Sequence, residues 1–385
     1  MPIFRDVVEQ LEPSGISKVA LDALGDPAVL PLWFGEGDLP TDGLICQAAK
    51  DSLDRGETFY MAPRGRSDLR AALHAYLERL YGITLDPERI AVPGAAMSAV
   101  SLAALICLDG QSHGLVVSPH WPNIEGAMRL TGAQIDYLRL EDADGRWSLD
   151  LSALEAALRP STRLVFVNSP SNPTGWVMPP AQQDALLDLA RARGFVILAD
   201  EVYHRTVFDG DVAPSFLQRA RPDDPLIVVN GFSKAWAMTG WRMGWMIVPS
   251  GYGTQMSTLS VNFNTGAPVF IQPGGIAALT EGEDIVQRLR QQYAGGRRLV
   301  EEIVGSHARM QLEPIDGAFY AFPRIAGLRD SLTFAQALLR AEKVGVAPGY
   351  TFGPGNDDRI RLCFALGHGR LQEALERLVR FIDRY

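Results

Sequence analysis

Six short runs in the middle of the chain are almost continuously apolar: RIAVPG (89–94), HGLVVSP (113–119), RLVFVNSP (163–170), FVILAD (195–200), LIVVNG (226–231) and GWMIVPS (244–250). Unbroken apolar runs of this length, bounded by turn residues, read as strands covered on both faces. Between them lie longer segments with helical spacing. PAQQDALLDLARARG (180–194) carries Pro at its start and Gly at its end, as a helix with both punctuation marks should. Strand–helix alternation with apolar strands predicts an α/β fold built on a mostly parallel sheet with helices on both faces.

From about residue 281 the pattern changes. EGEDIVQRLRQQYAGGRRLVEEIVG is a long charged amphipathic helix, with the pair Gly295-Gly296 as a candidate break. GAFYAFP (317–323), the helical SLTFAQALLRAEKV, RIRLCFA (359–365) and a final helix LQEALERLVRFIDRY come after it. This is an α+β pattern and predicts a second, smaller domain. The expected division is a large domain over 46–285 and a small one made of 1–45 with 286–385. No internal repeat is present.

Composition narrows the function classes. The 385 residues are 47% apolar and 21% charged, with a net charge of −9 and no basic run. That excludes a nucleic-acid binder working through a global positive field. Cys46, Cys107 and Cys363 are far apart and odd in number, which gives neither a zinc spacing nor a disulfide framework and suits a reducing compartment. The six histidines show no ligand spacing, so no metal is expected. The N-terminal MPIFRDVVEQLEPSG lacks a signal peptide's apolar core, and no run of apolar residues is long enough to span a bilayer. A cytoplasmic protein with no membrane partner is the expectation.

In sheets of this kind the chemistry sits past the strands' carboxyl ends. FVILA is followed by Asp200 and, two residues after Glu201, Tyr203; RLVFV by NSPSNPTGW with Asn172; LIVVNGF by Ser233 and Lys234; and Arg242 lies eight residues on. Singly, the acid reads as a helix cap, the Asn-Pro-Thr-Gly as a turn and the lysine as a solvated loop residue. An apolar neighbourhood would lower that lysine's pKa and make its amine a nucleophile. Together and in this order, NPTG, then D-x-x-Y, then SK with an arginine eight beyond resemble the class I/II aminotransferases, the fold-type I pyridoxal-phosphate enzymes. GEGDLPT (35–41), YMAPRGRSDLR (60–70), SPHWPN (118–123) and FGPGNDDRIRLCFA (352–365) extend the resemblance over nearly the whole chain.

The resemblance implies a role for each residue. Lys234 holds pyridoxal 5′-phosphate as a Schiff base and, once freed, moves the substrate proton. Asp200 faces the ring nitrogen and keeps it charged. Asn172 and Tyr203 meet the ring's 3-hydroxyl oxygen, and Trp121 stacks on the ring. Arg242, Ser233 and the backbone N–H groups of Ala95 and Ala96, at a helix start, take the phosphate. Many relatives carry serine where this chain has Gly231, so one hydroxyl contact is missing unless Ser98 or a partner chain replaces it. Tyr60 matches a tyrosine that reaches the neighbouring subunit's cofactor, which implies a homodimer with shared active sites. Arg361 clamps the substrate α-carboxylate, beside Gly35, and its neighbour Arg359 is expected to face away. His120 and His204 adjoin motif residues but are not assigned a role.

The implied reaction moves an amino group between an L-amino acid and a 2-oxo acid such as 2-oxoglutarate. No Lys or Arg lies between Arg242 and Arg288, and Ala96 stands where some relatives place a lysine for a distal carboxylate. With Trp33, Phe34 and Tyr320 as candidate walls, a neutral donor, aromatic or aliphatic, is expected over aspartate. The same residues would also serve a C–S lyase or a decarboxylase on this fold, and aspartate transamination stays open. A regulatory domain of the same fold would need a basic DNA-binding module, which these residues do not contain.

Overall fold

The computed structural model describes residues 3–385. Its centre is a seven-stranded sheet: β1 (Ile90–Gly94), β2 (His113–Ser118), β3 (Gln134–Arg139), β4 (Thr162–Asn168), β5 (Val196–Asp200), β6 (Leu226–Gly231) and β7 (Gly244–Ile247). The spatial order is β1-β7-β6-β5-β4-β2-β3. All neighbours pair in parallel except β7, which runs antiparallel to both β6 and β1. The six apolar runs are six of these strands. The seventh, β3, is a half-exposed edge whose QIDYLR alternates polar and apolar residues, so its apolar signal is diluted.

Alternate strand residues feed two separate cores. Val165, Ile197 and Val228 pack in one, and Leu164, Phe166, Leu198 and Ile227 in the other. Period-two alternation with both faces apolar is what a sheet covered by helices on each side requires. Helices α1 (Ser67–Tyr81) and α3 (Pro180–Arg193) contribute to the first core, and α2 (Ala96–Cys107) to the second. α3 ends where the sequence predicts, with Gly194 in the left-handed conformation at φ 74°.

The C-terminal part holds a three-stranded antiparallel sheet, β8 (Tyr320–Ala321), β10 (Ile360–Cys363) and β9 (Ala347–Pro348), with β10 central. The N-terminal Leu30–Pro31 pairs in parallel with Val344–Gly345, so the two ends of the chain meet there.

The helix after residue 281 departs from expectation. A break falls at Gly282, between α4 (Gln272–Glu281) and α5 (Glu283–Ile303), and α5 runs through Gly295-Gly296 without interruption. A Cβ on Gly282 would strike the carbonyl of Ala278 and lie 2.9 Å from Trp236 Nε1. Gly296 is there for contact: a Cβ would collide with the Phe364 carbonyl and approach Leu371 at 3.2 Å. Gly295 faces open space, with only the Arg298 guanidinium near, at 3.9 Å. The neighbouring glycines are therefore expected to respond oppositely in thermal unfolding. Gly295→Ala raises the midpoint, by removing a helix-interior glycine that costs about 1 kcal/mol. Gly296→Val lowers it, through overpacking on the order of 1–3 kcal/mol.

Candidate active site

β4 and β5 end level, because Asn168 pairs with Asp200, and β6 runs two residues past Val229, the partner of Asp200. Their carboxyl ends deliver Asn168, Asp200 and, in the short helix Phe232–Ala235 just beyond β6, Ser233 and Lys234 to one rim. A cavity of about 270 Å³ opens there. Its wall includes Gly35, Ala96, Trp121, Asn172 and Tyr203 together with Asp200, Ser233, Lys234, Arg242 and Arg361. Residues from both ends of the chain thus face one space.

The Lys234 amine donates to the Gly35 carbonyl at 2.6 Å. Burial pushes its pKa down to about 8, aided by the nearby Arg361 charge and opposed by Cys363, Glu36 and Asp200. The faces of Tyr203 and Phe319 lie 5.8 and 5.9 Å from Nζ. Asp200 is 4% exposed, and its carboxylate accepts one bond, from the Val202 N–H at 3.2 Å. Burial lifts its pKa to about 7, against the pull of that bond and of Lys234. Asn168 is not singled out by the sequence, yet it joins two site elements. Its Oδ1 accepts from the Asn172 N–H at 2.7 Å, and its Nδ2 donates to the Asp200 carbonyl at 2.9 Å. The turn after β4 is thereby tied to the end of β5. Its only sequence signal is a polar residue closing an apolar strand.

Arg361, on β10, donates to Asn172 Oδ1 at 3.1 Å and to the Trp33 carbonyl. Its Nε is buried with no partner, and its guanidinium stacks over Tyr320 at 4.6 Å and Phe352 at 5.0 Å. Among the described residues it makes no ion pair. A buried cation without a counter-charge is costly, and this one is poised for an anion from outside the chain. Arg359 does not face away as expected. Residues two apart on a strand project to the same side, and Arg359 stacks over Phe322, two beyond Tyr320, at 5.6 Å. What removes it from the cavity is Glu313, which holds it in a buried two-pronged ion pair at 2.8 and 2.6 Å.

At the other end of the cavity, Arg242 is exposed, donates to the Thr239 carbonyl at 2.7 Å, and makes no ion pair among the described residues. Its φ of 55° puts it in the left-handed region as the chain turns back into β7. Ala95 caps α2 without lining the cavity, and Ala96 opens the helix at the cavity wall, where N–H groups are free of helical partners. Gly231 is extended, and a Cβ there would come no nearer than 3.4 Å to Ala96 and Met243, so a serine would fit. Ser98 lies beside Gly94 and does not line the cavity.

Tyr203 Oη meets Tyr320 Oη at 2.7 Å, and burial pushes both phenols' pKa values up. Trp33, Phe34 and Tyr320 line the cavity as expected, and so do Ile16, Met97 and Val100, which the sequence does not single out. Tyr60 stands apart: it is 92% exposed and touches no part of the cavity of its own chain. His204 is buried against Tyr76 Oη at 2.9 Å, with burial lowering its pKa to about 3, and His120 bonds Glu125 at 3.0 Å. Neither lines the cavity.

Known proteins resemble this chain over nearly its whole length. The sequence profile of the family "Aminotransferase class I and II" matches residues 31–378. The chain is 31% identical over 384 residues to the aromatic-amino-acid aminotransferase 2 of Thermococcus litoralis, covering 98% of this chain and 97% of that one. It is 28% identical to an aspartate aminotransferase of Sulfurisphaera tokodaii, covering 99% and 94%. A solved single mutant of the Thermus thermophilus aspartate aminotransferase superposes with a TM-score of 0.90 at 29% identity, covering 99% of this chain and 100% of that one.

The buried acid carries a pH signature. Asp200 binds its proton more tightly folded, at about 7, than unfolded, near the ordinary aspartate value of 3.8. Stability is therefore undiminished below about 4 and is lost as pH rises toward 7. Asp200→Asn removes that loss. It is expected to raise the melting midpoint of the cofactor-free chain more at pH 8 than at pH 5, as calorimetry at the two pH values would register.

Proposed function

The chain belongs to the class I and II aminotransferases, pyridoxal-phosphate enzymes, and we propose that it transfers the amino group of a neutral amino acid, aromatic or aliphatic, to a 2-oxo acid such as 2-oxoglutarate. One observation carries the reading. A lysine amine of lowered pKa, a buried acid without a cation and a buried arginine without an anion surround one cavity.

Those residues fit the cofactor. Asp200 lacks the cationic partner that a pyridinium nitrogen would be, and Arg242 with the start of α2 lacks the anion that a phosphate would be. Asn172, Tyr203, Trp121 and Ser233 complete its binding set in this reading. Pyridoxal 5′-phosphate, when bound, supplies the aldehyde that captures the donor's amine and the ring that accepts electron density from its Cα.

The chain's own residues do the rest. Arg361, steadied by Asn172 and the Trp33 carbonyl, takes the donor's α-carboxylate through a charge-assisted pair. The Gly35 carbonyl aims the Lys234 amine. With its pKa lowered to about 8, that amine has a neutral fraction that grows through neutral to mildly alkaline pH, and in that form it can take the Cα proton. Asp200 would ionise beside a positive ring nitrogen and hold that charge in place. Tyr203 and Tyr320 close the wall beside Lys234 and exclude water.

The donor class rests on the lining. The cavity's cations are Lys234, Arg242 and Arg361, each with a role above, while Ile16, Trp33, Phe34 and Met97 add apolar surface. Among the described residues that line it, no further cation awaits a distal carboxylate. The relatives' names include both aromatic and aspartate donors. We also infer a homodimer, supported by Phe59 and Tyr60, which are 82% and 92% exposed on the single chain, and a small domain uniting both chain ends through the Leu30–Val344 pairing.

Steady-state rates with a panel of amino donors and 2-oxoglutarate test the substrate class. Neutral donors should lead, and aspartate exceeding all of them tenfold would overturn the reading. Pyruvate and ammonia released from a cysteine conjugate with no acceptor would point to a lyase instead. In the same assay Arg361→Ala should raise the donor KM on the order of a hundredfold, from loss of a buried charge-assisted pair. An unchanged KM would remove the arginine from carboxylate binding.

A further inference from the structure

The cavity that holds Lys234 has a larger neighbour. A second space of about 760 Å³ lies beneath the N-terminal segment, against the helix Asn123–Arg129. Met97, Pro122 and Asn123 line both spaces, so the two adjoin along these residues. The roof of this annex is fastened at two points. Arg5 donates to the Leu130 carbonyl at 3.0 Å, and Gly15 is pressed so closely onto Tyr350 and Thr351 that a Cβ would overlap both.

We propose that the annex receives the distal part of the donor's side chain, and that the enzyme's substrates are amino acids with long, uncharged, apolar side chains. The proposal rests on the aminotransferase reading and narrows its donor class. Two features support it. The inner space, about 270 Å³, is the smaller of the two and has to take both the cofactor and the donor's reacting end. The charged groups of the annex are already matched: Glu12 with Lys18 at 2.8 Å, and Glu125 with His120 at 3.0 Å and Arg129 at 3.7 Å. A charged tail would find no free partner, whereas Leu11, Pro13, Met97, Pro122, Ala127 and Leu130 offer apolar surface.

The test is a homologous series of linear L-amino acids, from alanine to 2-aminooctanoate, with the holoenzyme and 2-oxoglutarate. kcat/KM should rise about threefold with each added methylene through the longest member. Calorimetric affinities of unreactive linear carboxylates should rise in the same progression. A plateau or decline beyond norvaline, with alanine still turned over, overturns the annex and leaves the aminotransferase reading standing. No turnover with any donor defeats that reading itself. Gly126→Phe gives an independent check, because a Cβ at Gly126 meets nothing within 4 Å and the residue lines the annex. The variant should lower kcat/KM for 2-aminooctanoate at least tenfold more than for alanine, and an unchanged ratio overturns the proposal. If its melting midpoint shows that the variant does not fold, the length series decides alone.

Discussion

The site depends on strand register. Asn168, Asp200 and Val229 stand side by side across three parallel strands, so the loops leaving these strands emerge together at one edge of the sheet. A slip of one residue in β5 would turn Asp200 to the opposite face and exchange the two cores. The apolar residues on both faces prevent it, because Ile197 and Leu198 are buried on opposite sides. Packing far from the chemistry thus sets where the acid points. Asn168 adds a polar lock to the same alignment by bonding both the turn that carries Asn172 and the backbone of Asp200.

The second principle is incomplete charge pairing. Arg359 and Arg361 are close neighbours on one strand face, both buried, and both stack on aromatic rings. Glu313 neutralises the first, while the second has only neutral acceptors. The difference separates a structural arginine from one kept available. The same imbalance recurs at Asp200 and Lys234, whose pKa values move toward each other because burial disfavours both charges. The chain keeps costly groups where an outside molecule can complement them.

Much of this is legible in the sequence, for identifiable reasons. Strands buried on both faces leave unbroken apolar runs, so the parallel strands stand out, while the edge strand β3, half polar, does not. The motif residues can be read because they come after strand ends at fixed intervals. Ile16 and Met97 reach the cavity through tertiary packing and carry no local signal. Arg359, two residues from Arg361, shares its face by strand alternation, and what withdraws it from the cavity is Glu313, 46 residues away in sequence and so not legible locally. Gly295-Gly296 resembles a break because glycine there has two explanations, and only the closeness of Phe364 distinguishes them.

The bond from Arg361 to the Trp33 carbonyl spans 328 residues. The sheet between them is built from segments that leave the ribosome much earlier. A growing chain can therefore assemble the central layer while Arg361 is still untranslated, and contacts of such long range form late. The bond exists only once β10, which carries Arg361, has emerged. The cavity is thus completed in the last stage of synthesis, and a chain truncated just before β10 would keep Lys234 and Asp200 on a wall that lacks its buried arginine.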